Sequence, residues 1–259
     1  MFKYFVNVEG RNMVLYTDGS SGSPGRDDSH STYCIGRKDV YKDVAAFKRL
    51  CKLVTDSRTV LELFAGSGWH SAIIQDLLDL EEKKHLAWDA CPNCVRSVRE
   101  SLHPSVVVKE ADSYETMRVL HESGAAKRFQ FDWVHADFNQ FTLAREKKDQ
   151  KYKSVLAGVF DCAKKYVTIT DSALYGIRRF EKNLAVYSEL FGKNIKDWKE
   201  YFSVASEYYA EKYGFHISHV VVWSRMSSMY LLTKEKKKIE ISEQEEYADI
   251  KFTDEPVAL

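Results

Sequence analysis

Apolar residues along the chain follow two periods. Tyr4-Phe5-Val6-Asn7-Val8 and Met13-Val14-Leu15-Tyr16 flank the turn segment Glu9-Gly10-Arg11-Asn12, which predicts a β-hairpin. Val40, Val44, Phe47, Cys51 and Val54 then recur at helical spacing on one face. Between these two elements lies Asp18-Gly19-Ser20-Ser21-Gly22-Ser23-Pro24-Gly25, which reads as a loop. From Thr59 onward the two periods alternate. Short apolar runs at Val60–Phe64, His85–Trp88, Val106–Val108, Phe131–Ala136 and Tyr166–Thr170 read as buried strands. The segments between them show helical faces: Ile73, Ile74, Leu77 and Leu78; Val95, Val98 and Leu102; Met117 and Leu120; Val155, Leu156, Val159 and Phe160. Strand–helix alternation of this kind builds a parallel sheet with helices on both faces. A long helical stretch with Trp198, Tyr201, Phe202, Ala205, Tyr209 and Tyr213 stops at Gly214. Two strands follow, Ile217–Trp223 and Met229–Thr233, and a connection this short makes them antiparallel.

The predicted fold is therefore α/β: a Rossmann-like, doubly wound, mostly parallel sheet of seven strands with an antiparallel last strand. We expect residues 1–58 to form an N-terminal hairpin, loop and helix, residues 59–233 the main domain, and residues 234–259 a charged, solvated tail. Composition narrows the function classes. Lys+Arg and Asp+Glu both number 38, so the formal net charge is zero, which argues against a strongly basic protein that coats nucleic acid. Hydrophobic residues make up 44% of the chain, enough for a packed core. No apolar run approaches the roughly 20 residues of a membrane span, and polar residues come too early for a signal peptide. Five cysteines without a disulfide framework point to a reducing, cytoplasmic compartment.

The chemistry concentrates at strand ends. Val60-Leu61-Glu62-Leu63-Phe64-Ala65-Gly66-Ser67-Gly68 is a strand running into a glycine turn that opens a helix. Glycines there let a ligand approach the backbone closely. Asp89 ends the next strand about 20 residues on, where a carboxylate can accept from both hydroxyls of a ribose. Asp112 follows the third strand and Asp137 ends the fourth, at the edge where open α/β sheets bind ligands. A nicotinamide-binding turn would share these features, but Ser71 occupies the third glycine position of that fingerprint. No phosphate-binding G-x-x-x-x-G-K-[ST] sequence is present.

These residues resemble the class I S-adenosylmethionine-dependent methyltransferases over roughly Thr59–Thr233. Glu62–Gly68 resembles the first motif of that family. The resemblance implies S-adenosyl-L-methionine as cofactor, S-adenosyl-L-homocysteine as product, and a cofactor site of Glu62, Phe64, Ala65, Gly66, Gly68, Asp89, Ala90, Asp112, Ser113 and Asp137. In it Gly66 and Gly68 pass the methionine portion, Glu62 orders its amino end, Asp89 holds the ribose and Asp112 meets the adenine amino group. Asp137 falls where the family has its fourth motif, beside the transferred methyl. Relatives that methylate base amino groups often carry Asp/Asn-Pro-Pro-aromatic there; this chain has Asp137-Phe138-Asn139-Gln140-Phe141, without the prolines.

The expected catalytic pair is Asp137, as proton acceptor or orienter, and Asn139, as a source of amide polarity. Phe138 and Phe141 are candidates for stacking on a flipped base, or else core or lid residues. Arg178 and Arg179 follow the fifth strand and are candidate phosphate contacts, as are Arg145, Lys147, Lys148, Lys151 and Lys153 after the fourth; a charge run is also an ordinary solvated face. Arg26, His30 and Tyr33 in the early loop are candidates for a lid. The expected acceptor is a nucleic acid, RNA or DNA. Alternatives are a small molecule or protein side chain, and a module that binds the cofactor without transferring from it. No membrane and no metal are expected. Cys91-Pro92-Asn93-Cys94 lacks the second cysteine pair of a zinc site, so it reads as a helix start with small apolar side chains. His70 and His135 read as structural.

Overall fold

The computed structural model describes residues 2–17, 38–78, 83–138, 150–172, 177–224, 227–236, 238–243, 245–252 and 257–258. The expected lid residues Arg26, His30 and Tyr33, the basic residues Arg145, Lys147 and Lys148, and Asn139 and Phe141 lie outside them. The chain forms two compact units, residues 1–113 with 245–259, and residues 114–244.

In the first unit, β1 (Phe2–Val8) and β2 (Arg11–Thr17) form the expected hairpin. Its two turn residues, Glu9 and Gly10, both have positive φ, 51° and 89°. That is the turn whose twist matches a two-residue hairpin. β11 (Ile250–Phe252) and β12 (Val257–Ala258) add to β1 antiparallel. Here the structure departs from the expected solvated tail. Ile250, Phe252 and Val257 interrupt the charges at strand spacing, and Ile250 is buried. The hairpin lies on α3 (Pro92–Ser101), within a group of α1 (Lys38–Cys51), α2 (Trp69–Leu77) and three parallel strands, β3 (Thr59–Leu63), β4 (Lys84–Asp89) and β5 (Val106–Glu110). The Tyr16 and Val14 amides donate to Ser97 Oγ at 2.9 Å and Ser101 Oγ at 2.8 Å, so two small helix residues take the place of a sheet partner. The Tyr16 hydroxyl donates to Glu100, and the Arg96 guanidinium lies 3.9 Å from its ring centre.

In the second unit, β6 (Phe131–Phe138) pairs parallel with β7 (Ala163–Ser172). β9 (Ser227–Thr233) is antiparallel to both β7 and β8 (His216–Ser224), as the short connection requires. β10 (Glu240–Glu243) then pairs parallel with β8. The eight strands of this parallel-rich, Rossmann-like fold are therefore one more than expected, and the additional one is β10. Helices α4 (Ser113–Glu122), α5 (Gln150–Asp161), α6 (Ile177–Phe191) and α7 (Trp198–Tyr213) connect them. Asp197 caps α7 by accepting from the Lys199 and Glu200 amides, and Gly214, at φ 68°, closes it. Arg178 and Arg179 stand in the first turn of α6 rather than on an open loop; Ile177, Phe180, Leu184, Tyr187 and Phe191 supply the helical period. Their side chains and that of Lys151 lie outside the described residues, whereas Lys153 is exposed.

His135 is fully buried on β6, where its Nδ1 and Trp133 Nε1 both meet Thr168 Oγ1 on β7, at 2.8 and 2.9 Å. It is structural, as expected. Gly158 leaves no room for a side chain: a Cβ there would overlap the Met117 carbonyl oxygen of α4. Gly158→Ala is expected to lower unfolding free energy by about 1–3 kcal/mol, read from urea denaturation with an unchanged slope.

Candidate functional site

In the first unit eight sequence-predicted cofactor residues, Phe64, Ala65, Gly66, Gly68, Asp89, Ala90, Asp112 and Ser113, end or follow β3, β4 and β5, and Glu62 stands within β3. β3 ends on Leu63, and the chain then turns through Phe64 at φ 60° and Gly66 at φ 54° into Gly68 at φ 85°, the N-cap of α2. A left-handed phenylalanine costs of the order of 1–3 kcal/mol and persists only where its surroundings fix it. They do so here: the Phe64 amide donates to Ser113 Oγ at 3.3 Å, and the Ala65 amide donates to the Trp88 carbonyl at 3.0 Å. Gly68 is required twice over. Its φ suits glycine, and a Cβ would lie 3.0 Å from Val98 Cγ2 and 3.1 Å from Met13 Cε.

Asp89, at the end of β4, ties this turn to the next helix. Its Oδ2 accepts from the Gly66 amide and its Oδ1 from the Cys91 amide, each at 2.8 Å. The carboxylate is half-buried and held in one orientation by these two bonds. A rigid, partly exposed carboxylate at this strand end is the group that accepts from a ribose diol in open α/β sheets. Ala90 beside it and Asp112 after β5 are exposed, and Ser113 is buried. The residues present therefore fit a nucleoside with a free ribose diol.

Glu62 stands differently from its neighbours. It is buried; its Oε2 accepts from Ser71 Oγ at 2.7 Å and lies 2.8 Å from Nε2 of the buried His85. Among the described residues Glu62 Oε1 and His85 Nδ1 have no hydrogen-bond partner. Oε2 is thus anchored twice, while Oε1, also buried, has no protein partner among the described residues. Sequence reasoning missed both partners. The signal for His85 was a polar residue inside an apolar strand; Ser71 was considered only as a missing glycine. His70 is not part of this cluster: its ring packs on Phe47 at 4.2 Å and its Nε2 lies 3.3 Å from Asp43 of α1.

In the second unit Asp137 is half-buried one residue before the end of β6. Phe138 is fully buried, with its ring centre 6.0 Å from that of Tyr114. Its burial agrees with the core alternative of the two roles expected for it, since a covered ring offers no face to a base. Asp171, opposite Phe138 on β7, was missed as a site candidate. It is fully buried and accepts from the Tyr201 hydroxyl at 3.4 Å. Burial, and then the charge of Asp171, push the Tyr201 and Tyr230 phenols well above their ordinary value, so both stay protonated.

Neither the comparison with family models nor that with curated proteins finds a match. Solved structures do match. The methyltransferase domain of bacterial CtHen1-C is 14% identical, with 76% of this chain and 99% of that one covered, at a TM-score of 0.50. The CurJ carbon methyltransferase is 12% identical, with 77% of this chain covered and only 57% of that longer chain, also at 0.50. The chain has the fold of the class I S-adenosylmethionine-dependent methyltransferases.

His85→Ala removes the Glu62 partner and leaves a buried carboxylate with one contact fewer. We expect a loss of about 1–3 kcal/mol in unfolding free energy, with His85→Gln recovering part of it in the same denaturation assay.

Proposed function

We propose that the chain is an S-adenosylmethionine-dependent methyltransferase, with residues 59–233 as its catalytic domain. The observation that carries this reading is Asp89 at the end of β4, whose carboxylate accepts from the Gly66 and Cys91 amides and so ties the left-handed glycine turn to the start of α3. In this reading Asp89 takes the ribose diol, Asp112 the adenine amino group, the left-handed turn Phe64–Gly68 the methionine portion, and Glu62 orders its ammonium end. His85 and Ser71 hold that carboxylate in place. The bound cofactor supplies a methyl group already activated on a sulfonium. The chain's work is then alignment and removal of one proton. Asp137 would take the proton that the acceptor gives up when it is methylated.

For the acceptor we propose a nucleic acid. The Leu63-Phe64-Ala65-Gly66-Ser67-Gly68 form of the first motif and an acid at the end of β6 support this, as do basic residues in the first turn of α6. A small molecule or protein side chain is the second reading. The burial of Phe138 and the zero net charge favour it. Labelled methyl donor offered to RNA, DNA and small-molecule pools separates the two; transfer to none of them, with the cofactor bound, means an inert binding module.

Asp137→Ala is expected to leave cofactor affinity within about twofold and to reduce transfer by a factor of about 10²–10⁴. Full activity in that variant removes Asp137 from the chemistry. With a nucleic-acid acceptor, log affinity falls linearly with log salt, and Arg178→Ala with Arg179→Ala lowers the slope by about 1–2.

A further inference from the structure

The cysteine pair set aside as apolar packing has a geometry that packing does not require. Cys91 is the N-cap of α3 at φ −83° and ψ 116°, Pro92 opens the helix, and Cys94 occupies its third position. The Cys91 sulfur accepts from the Cys94 amide at 3.4 Å. Serine, threonine, aspartate or asparagine would cap that helix better than a thiol. Cys94 faces inward at the same turn, and both thiols are almost fully buried. The two sulfurs and a carboxylate oxygen of Asp89 all lie within 4.8 Å of one another.

As metal-bound thiolates, both sulfurs would face the amides and the positive dipole end of the helix start. Asp89 opposes them, because three negative groups at this distance repel. A dication among them reverses the sign of that interaction. Three donors around one dication carry a net charge of −1, which suits the positive end of a helix. Sulfur sits about 2.3 Å from zinc, so two tetrahedral sulfur ligands stand about 3.8 Å apart. Small side-chain rotations close the difference. Two sulfurs and one oxygen select a thiophilic, borderline-soft ion over magnesium or calcium.

We propose that Asp89, Cys91 and Cys94 form a binding site for a thiophilic divalent cation of the zinc class, with the fourth position open. Binding breaks two S–H bonds and releases both protons to solvent. Where Asp89 also holds a ribose diol, cation and cofactor draw on the same carboxylate and exclude each other. That coupling rests on the methyltransferase reading; the cation site does not.

Cadmium ion, titrated into the reduced full-length protein, reports the site through its thiolate-to-metal charge-transfer absorption. We expect saturation at one equivalent, loss of the band in Cys94→Ser and in Cys91→Ser/Cys94→Ser, and more than about tenfold weaker binding in Asp89→Asn. Serine is nearly isosteric with cysteine and caps helices well, so an unchanged melting temperature checks that these variants fold. Absence of a saturable band, or its persistence in the double variant, overturns the site. S-adenosylhomocysteine at about 100 times its own Kd should raise the apparent cadmium Kd about 100-fold. Unchanged cadmium binding, with calorimetry showing the nucleoside bound, overturns the coupling. No nucleoside binding to metal-free protein counts against the methyltransferase reading alone.

Discussion

The first unit depends on the Asp89 carboxylate accepting from the Gly66 and Cys91 amides. The two amides belong to different connections, one after β3 and one after β4. Both would otherwise be donors at the ends of strands, where the sheet no longer supplies acceptors. A single side chain satisfies both and fixes the glycine turn relative to the start of α3. In the proposed reading the same carboxylate also takes the ribose diol, so one residue would serve both the packing of the turn and the binding of the cofactor.

Other parts of this unit act on the same turn. Met13 reaches from the N-terminal hairpin to Gly68, where even a methyl group would crowd it. Ser97 and Ser101 hold the hairpin on α3 through the β2 amides. Ser113 accepts from the amide of the strained Phe64. Beneath the turn Glu62, Ser71 and His85 form a buried polar cluster. Buried polar groups of this kind are costly unless satisfied. Ser71 and His85 satisfy one oxygen of Glu62 and leave the side chain little freedom. The hairpin, distant from the motifs in sequence, is part of the packing that shapes the turn.

Much of this was legible in the sequence. The strands β3 to β9 follow from short apolar runs, because buried strands leave few polar positions to confuse the period. Asp89 was legible because spacing from a glycine turn is a local property. His85 and Ser71 were not, because their role depends on which residues face each other across β3, β4 and α2. Asp171 was hidden for a similar reason: its tyrosine partner lies 30 residues away on α7. Phe138 was ambiguous, since an aromatic next to a strand-end acid looks the same in sequence whether its ring faces a ligand or the core. β10 to β12 were obscured by the charges around them, and only their pairing partners reveal strands.

The central claim is that the edge built around Asp89 binds S-adenosylmethionine. Calorimetric titration of the metal-free protein with S-adenosylhomocysteine tests it most directly, beside the same titration of Asp89→Ala. The account predicts one site of about micromolar affinity, weakened at least tenfold in the variant because two charge-assisted hydrogen bonds are lost. Binding of equal strength in both proteins, or no binding to the unmodified chain, would contradict it.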